Sequence, residues 1–313
     1  MPTNTSSAPV TNGGYHRNRI ATDTTYADFA FWHFTRAGLR THDAGQALHL
    51  GLELEVDGFD YGPGIDHARE YLTDNYASHG YCKHTSDGSL NHGFEIVTAP
   101  MTLSAHRAVN WKPLLDNIAS HGGKSHDTRT CGIHVHVSRS ALGADAEAKT
   151  LCIAKLLELV ERFQAECSCL ARRNIATCQW CSPTGYGHSL TDGSRAMRRK
   201  ATRIQNEQGF GVHNGERYHA INLQNTNTIE FRIFKGSLEA DTVYATLAFV
   251  DGIVRYCKQH TTPEVHNATF GDIIDWIADD TLTAYWATRR GQVSRYTAYV
   301  GRLEEHCRNT SAA

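Results

Sequence analysis

The sequence predicts an α+β protein with a mostly antiparallel sheet. Short runs in which apolar side chains alternate with charged or imidazole ones are interleaved with long segments of helical spacing. Two further runs, 218–224 and 228–234, flank Asn225-Thr226-Asn227 and read as a hairpin with turn chemistry at its tip.

In chain order, residues 1–22 are rich in Thr, Asn, Ser and Gly with little to bury, and read as a disordered or loosely docked tail. A catalytic domain is expected over 23–260, with 261–313 as its helical extension. Tyr26, Phe29, Phe31, Trp32 and Phe34 mark a packed, helical segment over 23–36. The first strand runs from His49 to Val56, and Ala68, Leu72 and Tyr76 place a helix over 66–78. Asp87-Gly88-Ser89 is a turn before the strand at Phe94–Val97, which ends at Pro100. A helix over 102–120 has Thr102 or Ser104 as its cap and Gly122-Gly123 as its stop.

The run Cys131-Gly-Ile-His-Val-His-Val-Ser138 is the central strand of the prediction. Successive strand side chains point to opposite faces, so His134, His136 and Ser138 share one face and Ile133, Val135 and Val137 the other. The longest helical pattern spans 145–173. After a Gly/Ser/Pro-rich loop at 182–193, Arg195, Arg198, Arg199 and Arg203 lie along one side of a short helix followed by Gly209, Gly211 and Gly215. A basic element bracketed by glycines is either a lid or a solvated helix. Helices over 238–259 and 269–310 complete the chain.

At 313 residues with a net charge of -2 and pI near 6.8, the composition excludes a protein-wide nucleic-acid surface. No basic leader precedes an apolar run, and no apolar stretch reaches the roughly 18 residues of a membrane span, so the reading is cytoplasmic. Nine scattered cysteines suit reduced thiols better than a disulfide framework. Cys167, Cys169, Cys178 and Cys181 do not match a strong zinc spacing. Nucleophile-elbow, phosphate-loop and dinucleotide fingerprints are absent.

Beside the His134–His136 strand, three others carry the chemistry. Glu53 and Glu55 share one face of a strand otherwise built of leucine and valine, where paired charge is costly unless a hard cation compensates it. Glu95 stands amid Phe94, Ile96 and Val97 and calls for the same compensation, with Asp87 in the preceding turn. Glu230 and Arg232 alternate with Ile229, Phe231 and Ile233, and a strand arginine suits phosphate oxygens. The plain alternatives are solvated glutamates, a turn-forming aspartate and a surface ion pair.

Together, Gly51-Leu-Glu-Leu-Glu55, Asp87-Gly-Ser-Leu90 through Phe94-Glu-Ile-Val97, Cys131–Ser138 and Ile229-Glu-Phe-Arg232 resemble the amidoligase family. That family lies among the carboxylate–amine ligases similar to glutamine synthetase and glutamate–cysteine ligase. The resemblance covers roughly residues 49–260. It implies a curved sheet forming a funnel backed by helices, and an ATP-dependent ligase using two or more Mg²⁺ or Mn²⁺ ions. It also implies Glu55, Asp87 and Glu95 around one ion and Glu53, His134 and Glu230 around another. His136 and Ser138 would face the nucleotide phosphates, and Arg232 the transferring phosphoryl group. Arg199, Lys200 and Arg217 are further candidates to grip phosphates or an acidic substrate. Carboxylate and amine substrates, free or within a peptide, cell-wall fragment or protein, are the expected partners, with no nucleic acid and no membrane. The alternatives are a guanidino-kinase-like phosphotransferase and a metal-binding protein without catalysis.

Overall fold

The computed structural model describes residues 48–178, 180–181, 218–225 and 227–297. The expected tail, the aromatic segment at 23–36, the loop at 182–193 and the basic segment with Arg199, Lys200 and Arg217 lie outside the described residues. The protein is α+β, and its strands pair antiparallel. Its contacts divide it into two compact units. One comprises the described residues up to Ala141 with Lys235–Tyr244, the other Leu142–Phe234 with Ala245 onward.

The first unit holds β1 (Leu50–Val56), β2 (Cys82–Thr85), β3 (Phe94–Thr98) and β4 (Gly132–Ser138), in the order β2-β3-β1-β4. Directly opposed residues of antiparallel strands project to the same face, so the register sorts the side chains. Leu52 stands opposite Val135, and Leu54 opposite Ile96 and Ile133. These residues, with Leu50, Val56 and Val137, form a core that is almost entirely inaccessible to water.

Helix α1 (Gly64–Leu72) buries Ile65, Ala68 and Leu72 and runs into a π-helical turn at Thr73–Ala77. The expected helix over 102–120 is two helices, α2 (Leu103–Val109) and α3 (Lys112–Ser120). Asn110 breaks them apart in the left-handed conformation at φ 56°, and Pro113, with no N–H to lose, sits in the first turn of α3. Thr102 is the cap: its hydroxyl accepts from Ala105 N at 3.2 Å. Trp111 N donates to Tyr244 Oη at 2.9 Å, and Gly236 N to Cys131 O at 3.2 Å. The segment 235–244 is thereby fastened to the unit that begins near residue 48.

His106 is wholly buried beneath this sheet. Trp111 Nε1 can only donate, so His106 Nδ1 accepts it at 3.3 Å, which places the ring proton on Nε2, 2.9 Å from Leu50 O. Burial pushes the imidazole pKa down to about 4, against about 6.5 in an unfolded chain. Between those values the unfolded state binds more protons, so stability present above about pH 6.5 is lost as pH falls toward 4. Urea titrations should show His106 costing about 2 kcal/mol between pH 7 and pH 5. His106→Gln should lack that part of the pH dependence.

The second unit contains the hairpin β5 (Ile221–Asn222) and β6 (Thr228–Lys235, whose last residue belongs to the first unit). The expected strand over 218–224 shortens to two residues because Asn222 Oδ1 accepts from Gln224 N at 3.0 Å and turns the chain. The expected helix over 145–173 is also two, α4 (Ala146–Arg162) and α5 (Gln164–Ala171). Phe163 leaves helical geometry with its ring edge-on to Phe270 at 5.5 Å. Arg162 meanwhile donates to the carbonyls of Val265, His266 and Ala268. Helices α6 (Ala240–Gln259), α7 (Thr262–Asn267), α8 (Phe270–Ile277) and α9 (Asp280–Arg289) follow. Lys155, 6% exposed, donates to Cys257 O and His260 O, satisfying carbonyls at the end of α6. Among the described residues no helix is long and apolar enough to cross a membrane.

Candidate metal centre

The polar face of the first unit's sheet follows from register alone. Glu55 opposes Glu95, Glu53 opposes His134 and Val97, and Gly51 opposes His136. Glu53, Glu55, Glu95, His134 and His136 therefore project from one side, opposite the aliphatic side. Glu95 is 1% exposed, and Glu55 and His134 are each 6% exposed.

Burying two opposed carboxylates costs several kcal/mol unless donors or cations answer them. Part of the answer is built in. Glu55 Oε2 accepts from Gly132 N at 2.5 Å, and Glu53 lies 3.4 Å from His134 Nδ1 and 3.3 Å from His136 Nε2. Burial works against ionisation of Glu53, but the charge of His136 and hydrogen bonds from both imidazoles outweigh it and hold the carboxyl well below its ordinary range. Glu53 is therefore a carboxylate at neutral pH.

Among the described residues of the first unit, two ligand sets result. Glu55, Asp87 and Glu95 offer one ligand atom each, all within 4.8 Å of one another, and Glu53, Glu95 and His134 do the same. Glu95 belongs to both. Oxygen-dominated sets of this kind suit hard divalent cations such as Mg²⁺ or Mn²⁺. Asp87 stands in a tight turn in which its Oδ1 accepts from Ser89 N at 2.7 Å. Ser138, at the end of β4, shares a hydrogen bond with Ser140 at 2.8 Å.

In the second unit Glu230 is 4% exposed and accepts from Asn222 Nδ2 at 2.8 Å, from Asn225 Nδ2 at 3.3 Å and from Arg232 Nη1. Arg232, two residues on, shares its face of β6, and Arg173 Nη1 reaches the Arg232 carbonyl at 3.5 Å.

Sequence reasoning passes over four of these residues. Asn222 stands opposite Glu230, and the alternation Ile221-Asn-Leu223 is the signal that reveals it. Asn225 reads as turn chemistry alone. Lys83, 2% exposed on β2 opposite Val97, shares the face of Glu53 and Glu95, in a four-residue strand too short to show a period. Asp57 continues the spacing of Glu53 and Glu55 by two more residues, and its burial at 2% marks a different task. Its oxygens accept from Gly58 N (2.8 Å), His92 N (2.7 Å), Asn91 N (3.1 Å), Asn91 Nδ2 (3.3 Å) and Thr130 Oγ1 (3.0 Å). Burial raises its pKa, but the backbone donors His92, Asn91 and Gly58 prevail and keep it below the usual aspartate range. Asp57 thus fastens both the loop that carries Asp87 and the turn ahead of β4. At Gly93, where that loop enters β3, a Cβ would lie 1.9 Å from Val56 O, so no side chain fits there.

Fold and site together define an α+β protein whose sheet presents paired carboxylate and imidazole ligand sets. The model of the family described as "Putative amidoligase enzyme" matches residues 70–254, more than half of the 313, and the chain belongs to that amidoligase family of ligase enzymes. The match takes in Asp87, Glu95, His134, His136, Glu230 and Arg232; Glu53 and Glu55 precede it and are joined to it by the register of β1. A search of curated proteins finds no match.

Proposed function

We propose that this chain is an ATP-dependent carboxylate–amine ligase that works through an acyl phosphate. Family membership supports ligation, and the observation that carries the metal chemistry is the pair of ligand sets sharing Glu95. In the proposed reaction a substrate carboxylate oxygen attacks the γ-phosphorus of ATP, the bond to the β-phosphate oxygen breaks and ADP departs. An amine nitrogen then attacks the acyl carbon, phosphate leaves, the nitrogen gives up a proton, and an amide or isopeptide bond remains.

Mg²⁺ or Mn²⁺, held by Glu55, Asp87 and Glu95 and by Glu53, Glu95 and His134, would neutralise phosphate charge. The chain's own residues act around that charge. Glu53 is ionised in advance by its two imidazoles, so metal binding at neutral pH requires no proton release there. His136 and Ser138 are proposed to contact phosphate oxygens. Glu230 and Arg232 are proposed, on the resemblance, as cation ligand and phosphoryl-stabilising donor; Asn222 and Asn225 fix the Glu230 carboxylate against rotation. Arg199, Lys200 and Arg217 are proposed to grip phosphates or an acidic substrate. The same proposal includes a funnel-like, glutamine-synthetase-like curvature of the sheet, a catalytic domain over 23–260 and a cytoplasmic setting.

The test is release of ADP and phosphate from ATP with Mg²⁺ or Mn²⁺ across a panel of acids and amines. Release should require one acid and one amine together, a new amide should appear by mass spectrometry, and Glu230→Ala should abolish it. A stable phosphorylated acceptor would assign the protein to phosphotransfer instead. Metal uptake with no turnover of ATP on any pair would leave a binding protein.

A further inference from the structure

The second unit carries a sulfur pair that the ligase chemistry does not use. After α5, Ser168 Oγ accepts from Ile175 N at 3.1 Å and Asn174 Oδ1 from Ala176 N at 3.2 Å, setting a 3₁₀ turn over Ile175–Thr177. Cys178 closes that turn, its N–H donating to Ile175 O at 3.3 Å. The Cys181 thiol donates to Cys178 Sγ, as do the backbone N–H groups of Trp180 and Cys181, and the Arg173 guanidinium lies close to both sulfurs. Arg173 is itself steadied by the Arg232 carbonyl. Cys178 is partly exposed, whereas Cys181 has no exposure. The arrangement is that of an attacking thiolate at the surface and a sheltered second thiol in contact with it.

The geometry points to Cys178 and Cys181 as a peroxide-reactive dithiol that closes reversibly to a disulfide. The Cys178 thiolate attacks one oxygen of a hydroperoxide, whose O–O bond breaks, giving a sulfenic acid and releasing the other oxygen as hydroxide or alkoxide. Cys181 then attacks that sulfur, water departs with the Cys181 proton, and the S–S bond forms. Two electrons pass from the thiols to the peroxide, and an external dithiol reverses the change.

A metal reading is weaker here, because among the described residues no third ligand joins the pair. The other cysteines offer a contrast. Hydrogen bonding from Cys181 is the foremost influence bringing the Cys178 pKa down, to about 6, whereas burial pushes the thiols of Cys82, Cys131, Cys152, Cys167, Cys169 and Cys257 up. Only Cys178, among these, is a thiolate at neutral pH. This inference is independent of the ligase proposal.

The experiment treats the reduced full chain with iodoacetamide at pH 7 and, separately, with stoichiometric hydrogen peroxide, and maps the peptides by mass spectrometry. Cys178 should alkylate more than about tenfold faster than those six cysteines. Peroxide should yield a 178–181 disulfide that dithiothreitol removes. In Cys181→Ser the product should instead be a sulfenic acid on Cys178, trapped by dimedone. Alkylation of Cys178 no faster than the rest would overturn the inference. So would peroxide products confined to other cysteines, or stoichiometric zinc that protects both thiols. The first arm uses the unaltered chain and so holds even if a variant misfolds.

Discussion

Glu95→Gln should abolish divalent-ion binding at the two ligand sets of the first unit. The substitution keeps the shape of a side chain that is 1% exposed and removes the charge that a cation needs. Both ligand sets lose a member at once because Glu95 belongs to each. With the unaltered chain, Mn²⁺ or Mg²⁺ at about 100 times its dissociation constant should raise the unfolding free energy by about 2.7 kcal/mol. In Glu95→Gln that increment should vanish, and affinity should fall by more than about 100-fold, the upper end of the loss seen when a mere supporting residue is removed. Calorimetric titration decides the matter: unchanged affinity in the variant would remove the metal assignment and with it the proposed ligase mechanism.

Asp57→Ala should destabilise the first unit by about 3 kcal/mol, since several buried donors lose their acceptor together. His92 N, Asn91 N and Thr130 Oγ1 come from two segments that this carboxylate joins. Asp57→Asn keeps one acceptor oxygen and should cost less. Urea denaturation measures both. In Asp57→Asn, metal affinity at the Asp87 set should weaken even though residue 57 is not a ligand, because the loop carrying Asp87 is no longer held. An Asp57→Ala protein of unaltered stability would show that the five bonds contribute nothing net.

The charged faces of β1, β4 and β6 are legible because each strand separates an aliphatic side from a polar one, which imprints a two-residue period on the sequence. Glu53, Glu55, His134 and Glu230 stand out for that reason. Which strand lies beside which is not written in the same period: the opposition of Glu55 to Glu95 and of Glu53 to His134 comes from pairing across long stretches of chain. The short β2, with Lys83, escapes any periodic test. The helix break at Phe163 escapes it too, because side-chain packing from elsewhere in the fold overrides local propensity. Asp57 shows the limit most directly. Its spacing from Glu55 is visible, yet only its five hydrogen bonds reveal an anchor where the pattern would suggest another ligand.

Because Gly236 and Tyr244 reach back to Cys131 and Trp111, the first unit is assembled from two distant pieces of chain with the whole of 142–234 threaded between them. On the ribosome, the strand bearing His134 and His136 would emerge well before the segment that locks its beginning. A nascent chain halted near residue 230 would present the sheet with that lock absent, so pulse-labelled protease resistance of the early strands should appear only after residue 244 has cleared the exit tunnel.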